Sequence, residues 1–200
     1  MSVEFVLSAH GPAQFPTDRL PEVAFVGRSN VGKSSLLNAL LLGRGRRASR
    51  RDPVRRKALA KTSQSPGRTR AINFFLVDRR LYFVDLPGYG FAKVPEAERQ
   101  RWKRLAESYL TRREALKLVV LIVDMRHGPT VLDRQMREWL VASGQAFCVV
   151  AAKSDKLKRV ARSRSISSIS ETFSPPVPFS AVTGEGVREL WRAIQSALAA

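Results

Sequence analysis

The residues best suited to chemistry lie together in Gly27-Arg28-Ser29-Asn30-Val31-Gly32-Lys33-Ser34, which fits the phosphate-loop pattern G-x-x-x-x-G-K-[ST]. In such a loop backbone N–H groups converge on phosphate oxygens, and the helix N-terminus that follows adds a favourable dipole. Gly27 and Gly32 supply the unusual dihedrals and the close backbone approach. Lys33 is suited to the β- and γ-phosphates, and the Ser34 hydroxyl to Mg²⁺. The stretch from Gly27 to Ser35 is therefore the candidate nucleotide-binding segment, with Lys33 also a catalytic candidate.

Further candidates come later in the chain. In Asp85-Leu86-Pro87-Gly88, the Asp85 carboxylate fits a water-mediated Mg²⁺ contact and Gly88 a sensor of the γ-phosphate. In Lys153-Ser154-Asp155, the carboxylate can accept from the N1–H and exocyclic amine of guanine together, a donor pair that adenine does not present. Ser180-Ala181 fits a supporting backbone contact to the guanine oxygen, and Thr69 a switch threonine that completes Mg²⁺ coordination. Each short motif is weak alone, but these occur in order, each just beyond an expected strand, where open α/β sheets place ligands.

The elements that must position them read as follows. Val23–Val26 is apolar and β-prone, and Ser35–Leu42 is rich in helix formers, so the loop has its strand–loop–helix context. Ile72–Val77 and Leu81–Val84 flank the turn Asp78-Arg79-Arg80 and predict an antiparallel hairpin. Leu116–Val123 and Phe147–Ala152 are continuous apolar runs, expected as buried parallel strands. Val177-Pro178-Phe179 makes a short last strand, and Phe5–Ala9 fits a short edge strand. Helices are expected after Val94-Pro95 and over Thr130–Ser143, Val160–Thr172 and Val187–Ala200. The pattern predicts an α/β, three-layer phosphate-loop NTPase with a mostly parallel six-stranded sheet and one antiparallel edge hairpin. Residues 1–20 read as a lead-in and 21–200 as a single domain, with a basic segment over 44–65.

Charge narrows the class of partner. The chain holds 35 Lys and Arg against 17 Asp and Glu, a net charge of +18 over 200 residues. Such an excess implies a polyanion, and no apolar run approaches the roughly 18 residues of a membrane span. Met1–Leu20 lacks the basic n-region of a signal peptide, and the single Cys148 sits in an apolar run as an inert buried thiol. A cytoplasmic setting and a nucleic-acid or nucleoprotein partner are the expectations. Nine Lys and Arg between Arg44 and Lys61 face only Asp52, which suits an arm that docks on phosphate backbones.

Taken together, the motifs at 27–35, 66–69, 72–75 and 85–94 resemble those of the EngB/YsxC-type ribosome-biogenesis GTPases, relatives of Era and EngA. Asp124–Pro129 and Lys153–Leu157 add to the likeness, which runs from about Phe5 to Ile194. The resemblance implies a Ras-like G domain that binds GTP, GDP and Mg²⁺ through Ser34, Thr69 and Asp85. It also implies a role in assembling the large ribosomal subunit in bacteria, contacting rRNA and ribosomal proteins, with a requirement in cell division and septation; a monomer is the default expectation. Where the family has threonine before the guanine-element lysine, this chain has Ala152; Ser65 and Arg70 also depart from the pattern.

Tyr89 stands where Ras-type enzymes carry the water-orienting glutamine, so slow intrinsic hydrolysis is expected. Asn30 resembles an asparagine of GTPases that bind K⁺ beside the phosphates, which makes Asn30 and Thr69 catalytic candidates alongside Lys33. Two other readings remain at this point: a nucleotide-dependent RNA-binding scaffold for which hydrolysis is incidental, and an adenine-nucleotide enzyme, which Asp155 disfavours. His127 follows Asp124 and Arg126 without an evident chemical role.

Overall fold

In a computed structural model of the chain, residues 1–42, 71–90 and 95–199 are described. The basic segment 44–65, Thr69 and the motif around it lie outside those residues, as do Ser65 and Arg70.

The sequence alternates strand and helix: β1 (Val3–Ala9), β2 (Glu22–Gly27), α1 (Lys33–Leu42), β3 (Ile72–Val77), β4 (Leu81–Asp85) and α2 (Glu96–Arg112). There follow β5 (Leu116–Asp124), α3 (Val131–Ala142), β6 (Phe147–Ala152), α4 (Arg159–Thr172), β7 (Val177–Phe179) and α5 (Val187–Ala199). All strands join one sheet in the order β1-β3-β4-β2-β5-β6-β7. The pairs from β4 through β7 are parallel, whereas β1–β3 and β3–β4 are antiparallel.

One strand more is present than the six expected, because Val3–Ala9 is a full member of the sheet. It runs along β3 from Val3 opposite Val77 to Ala9 opposite Ile72, with an irregularity between Phe5 and Leu7. The expected hairpin thus becomes a three-stranded antiparallel edge. The lead-in earns its place through these ladder bonds and through the Phe5–Phe75 ring contact, centroids 5.6 Å apart.

The continuous apolar run of β5 is explained by cover on both sheet faces. Val119, Leu121 and Val123 meet Leu105, Tyr109 and Leu110 of α2, Leu140 of α3 and Ile169 of α4. Leu118, Val120 and Ile122 meet Leu36, Leu37 and Leu40 of α1 and Leu190 and Ile194 of α5. Cys148 on β6 packs partly against this second core, and burial pushes its thiol up to about 12, as an inert thiol requires.

Because β2, β4, β5, β6 and β7 run parallel, Gly27, Asp85, Asp124, Ala152 and Phe179 all reach one end of the sheet. The opposite end holds a buried ion pair. Glu22 opens β2 with no solvent exposure, accepts from Tyr109 Oη at 2.6 Å and from Arg113 Nε at 2.9 Å. Arg113 also donates to the Pro16 carbonyl at 2.6 Å and lies 5.7 Å from the Phe15 ring centroid, so it clasps the lead-in loop. Burial and then the Glu22 carboxylate push the Tyr109 phenol well above its ordinary range. Replacing Arg113 by Ala strands a buried carboxylate; chemical denaturation should show a loss of about 3–5 kcal/mol. Tyr109→Phe, which leaves the ion pair intact, should cost only about 1–2 kcal/mol.

Candidate functional site

The phosphate loop is shaped by a few backbone demands. Asn30 and Gly32 hold φ of 63° and 109°, left-handed values that let the chain fold back before α1 begins at Lys33. Gly27 serves close approach rather than dihedral freedom: a Cβ there would lie 2.9 Å from the Ile122 carbonyl oxygen and 2.9 Å from Val31 Cγ1. Val31 is buried in the α1-side core and anchors the loop from below.

Lys33 and Asp85 face each other across the end of the sheet as a directly bonded ion pair, and both are buried. The parallel register of β2 and β4, with Phe25 opposite Asp85, brings them together. Asp85 Oδ2 is buried without a hydrogen-bond partner. Beyond it, Gly88 packs against the loop, where a Cβ would come within 3.3 Å of Gly27 O and Ser29 N. The Tyr89 N–H donates to Gly27 O at 3.2 Å, and the Ser29 N–H donates to Tyr89 O at 2.9 Å.

Tyr89 itself turns away from the loop. Its hydroxyl donates to Asp133 Oδ1 at 2.8 Å, and its phenol is raised above the usual range, by burial first and then by Asp133. Asp133 is also half of the capping box that starts α3, its Oδ2 accepting from the Thr130 N–H at 2.9 Å. The ring helps to line a groove of about 520 Å³ between α2 and α3, with Trp102, Leu110, Met136 and Trp139.

At the candidate guanine element, Asp155 Oδ1 accepts from the Ser180 hydroxyl at 2.8 Å, and Lys156 stands 3.5 Å from Oδ2. Burial opposes ionisation of Asp155, but Ser180 and Lys156 outweigh it and its pKa lies below the ordinary value. Ser180 Oγ accepts in turn from the Val182 and Thr183 N–H groups, each at 3.2 Å, and Ala181 sits inside this turn. Ser154 Oγ donates to Glu185 Oε2 at 2.6 Å, while Arg162 bonds to Oε1, so Glu185 joins both base-side loops to α4. Lys153 holds φ of 67° and donates to the Asn30 carbonyl at 2.6 Å and to Asp124 Oδ2 at 2.9 Å.

The structure therefore gathers Gly27–Ser35, Asp85 and Gly88 at one patch, and Lys153, Asp155, Ser180 and Ala181 at an adjoining one. Glu185 carries no signal in the sequence, since its partners Ser154 and Arg162 are remote in the chain. Asp133 has a local signal, its capping-box spacing from Thr130, but its bond to Tyr89 is one the sequence does not show. Among the described residues no cluster of three or more His, Cys, Asp or Glu could hold a metal ion by itself. Nor is any described helix long and apolar enough to cross a membrane.

The fold and this arrangement define a phosphate-loop GTPase domain. A family model described as a 50S ribosome-binding GTPase matches residues 22–153. The probable GTP-binding protein EngB of Solibacter usitatus is 48% identical over 200 residues, covering 100% of this chain and 98% of that one. That of Pelotomaculum thermopropionicum is 50% identical, covering 96% and 93%. The chain belongs to the EngB family of GTP-binding proteins. A crystal structure of a probable EngB protein superposes with a TM-score of 0.65 at 23% identity, over 88% of this chain and 98% of that one. Era, crystallised with MgGDPNP and part of 16S ribosomal RNA, gives 0.62 at 23% identity over 88% of this chain and 56% of its own; both likenesses concern the fold.

Asp124 supplies a pH signature. Burial raises its pKa, but Arg126 and Lys153 overcome that and hold it at about 2, against 3.8 ordinarily. A depressed carboxylate stabilises the fold above its unfolded pKa, and that stability fades as pH falls through the folded one. As pH falls from about 4 towards 2 the wild type should lose more stability than Asp124→Asn, read from denaturation midpoints; equal losses would contradict this.

Proposed function

We infer that the chain is a GTP-hydrolysing switch that acts on the large ribosomal subunit during its assembly. The observation that carries the nucleotide half is the pair of adjoining patches: a phosphate loop beside a buried Lys–Asp pair, and an ionised Asp155 held by Ser180. The former suits a polyphosphate. The latter suits the paired donors of guanine and leaves adenine unmatched.

Mg²⁺ fits the site on chemical grounds: the buried, unpartnered Asp85 Oδ2 offers an oxygen that can hold the ion through water, and the Ser34 hydroxyl is the proposed direct ligand. Thr69 completes the proposed ligand set. The ion would supply charge neutralisation between the β- and γ-phosphates. Lys33 is bonded to Asp85 here, and its part is to leave that carboxylate for the phosphate oxygens. Gly88, where a Cβ would come within 3.3 Å of the loop backbone, is the proposed N–H donor to the γ-phosphate.

Hydrolysis by these residues alone should be slow. The side chain at Tyr89 is committed to Asp133 and offers no carboxamide to orient water. Asn30, exposed beside the loop, is the proposed neighbour of a K⁺ ion that stands in for an arginine finger. Turnover should rise when K⁺ replaces Na⁺ at equal ionic strength; equal rates would remove the cation from the scheme.

The ribosomal half rests on the family, whose description is of 50S-binding GTPases, and on the net charge of +18. The cell-division role rests on the resemblance alone, the cytoplasmic setting on the single cysteine and the absence of a long apolar run, and a monomer is the default. Asp155→Asn should weaken GTP and favour xanthine nucleotides, whose oxygen at the position of the guanine amine reverses the donor demand. Unaltered GTP binding would dismiss the guanine assignment. In cells depleted of the protein, large-subunit precursors should accumulate on sucrose gradients, and a normal profile would dismiss the assembly role.

A further inference from the structure

The string Asp124-Met125-Arg126-His127-Gly128 follows β5 and takes no part in the scheme above. It is wound around one carboxylate. The His127 and Gly128 N–H groups donate to the Asp124 carbonyl at 3.2 and 3.0 Å, closing a turn in which Gly128 holds φ of 68°. Arg126 folds back onto the Asp124 side chain, Nε to Oδ1 at 3.0 Å and Nη2 to Oδ2 at 2.8 Å. Its backbone N–H adds a bond to Oδ1 at 3.0 Å. Asp124 is 7% exposed, and its Oδ2 also receives the Lys153 ammonium.

We propose that Asp124, oriented by the Arg126 fork, is a positioning residue for guanine-nucleotide binding: it fixes the Lys153 ammonium on the Asn30 carbonyl and so ties the base loop to the phosphate loop. The inference rests on the guanine-site reading of Asp155.

Three features carry it. A lysine ammonium on its flexible stem has many rotamers, and holding one of them costs entropy. A carboxylate gripped by a two-pronged guanidinium has one geometry and transmits it to the lysine. Secondly, Ala152 beside Lys153 brings only a methyl group to this junction. A Cβ at Gly32 would lie 4.0 Å from that methyl and 3.5 Å from Lys153 Cε, so the contact is apolar and the polar link falls to Lys153. Thirdly, both ends of the link, Asn30 and Lys153, hold left-handed φ values of 63° and 67°. Non-glycine residues keep such conformations where the surroundings fix them.

The consequence is a nucleotide gripped at base and phosphate by loops that move as one body. Without the Asp124 carboxylate the loops part more often and the nucleotide leaves faster, while Asp155 still chooses the base. Met125 anchors the turn by burying its side chain in the core, and His127 contributes its N–H.

Release of a fluorescent GDP analogue, followed by stopped flow, tests this. Asp124→Asn should accelerate release about tenfold, the scale of one charge-assisted hydrogen bond. Arg126→Ala should act in the same direction with smaller effect. In a Lys153→Ala background Asp124→Asn should add nothing, because the two act through one link. The preference for guanine over xanthine nucleotides should not change. Release at the wild-type rate, or effects of Asp124→Asn and Lys153→Ala that multiply, would overturn the proposal and leave Asp124 a holder of its own turn. Should Asp124→Asn fail to fold, Arg126→Ala carries the test, and its effect must vanish with Lys153→Ala. Asp155→Asn runs alongside: no shift towards xanthine there refutes the guanine-site reading itself. A shift there with wild-type release from Asp124→Asn refutes the link alone.

Discussion

A buried ammonium set against a buried carboxylate is the constraint on which the site depends. Lys33 and Asp85 lie deep at the end of the sheet, and neither is tolerable there alone: stripping a partner from such a pair leaves a charge in a poorly solvating interior. What holds the pair is architecture. Lys33 is fixed by a loop that only Gly27 can fit beneath Ile122, and Asp85 by the parallel register that ends β4 beside β2. A polyphosphate and a cation are the complementary charges for which these two groups could exchange each other. The remaining free lone pair on Asp85 Oδ2 makes the pair an incomplete satisfaction rather than a finished salt bridge.

The sheet separates stability from chemistry. At its far end Glu22, Tyr109 and Arg113 form a closed network that draws the lead-in loop onto α2. At its near end polar groups are braced by neighbours from other loops: Asp155 by Ser180, Ser154 by Glu185, Lys153 by Asp124, and Tyr89 by Asp133. Tyr89 links the phosphate loop to the core under α2 and α3. Its backbone bonds the loop, its hydroxyl bonds the start of α3, and its ring lines the groove between α2 and α3.

Much of this was legible in the chain. The phosphate loop announces itself because glycine, lysine and serine at fixed spacing have few other uses, and β5 and β6 because runs of apolar β-formers must be covered on both faces. Asp85, Lys153 and Asp155 could be found because each directly follows such a run. Val3–Ala9 was harder: its pairing lies with β3, some seventy residues on, and its alternation is broken at Phe5–Leu7. Glu22 reads as a polar residue at a strand start and is fully buried, because its partners come from the end of α2. The brace of Glu185, and that of Asp133 on Tyr89, were invisible for the same reason, that those partners are chosen by tertiary structure; only the capping-box bond of Asp133 to Thr130 is local. Asp124 stands at a strand end like Asp85 but is not singled out by the chain, because its bond to Lys153, twenty-nine residues on, is made only by the fold.

The central claim is that guanine-nucleotide state governs association with the large ribosomal subunit. The most direct measurement is co-sedimentation with isolated large subunits and their precursors, with GDP and with a non-hydrolysable GTP analogue, at low and near-physiological salt. Association that survives salt and depends on the GTP analogue is the predicted result. Association that ignores the nucleotide and disappears with salt would contradict the claim, leaving the net positive charge as its whole cause.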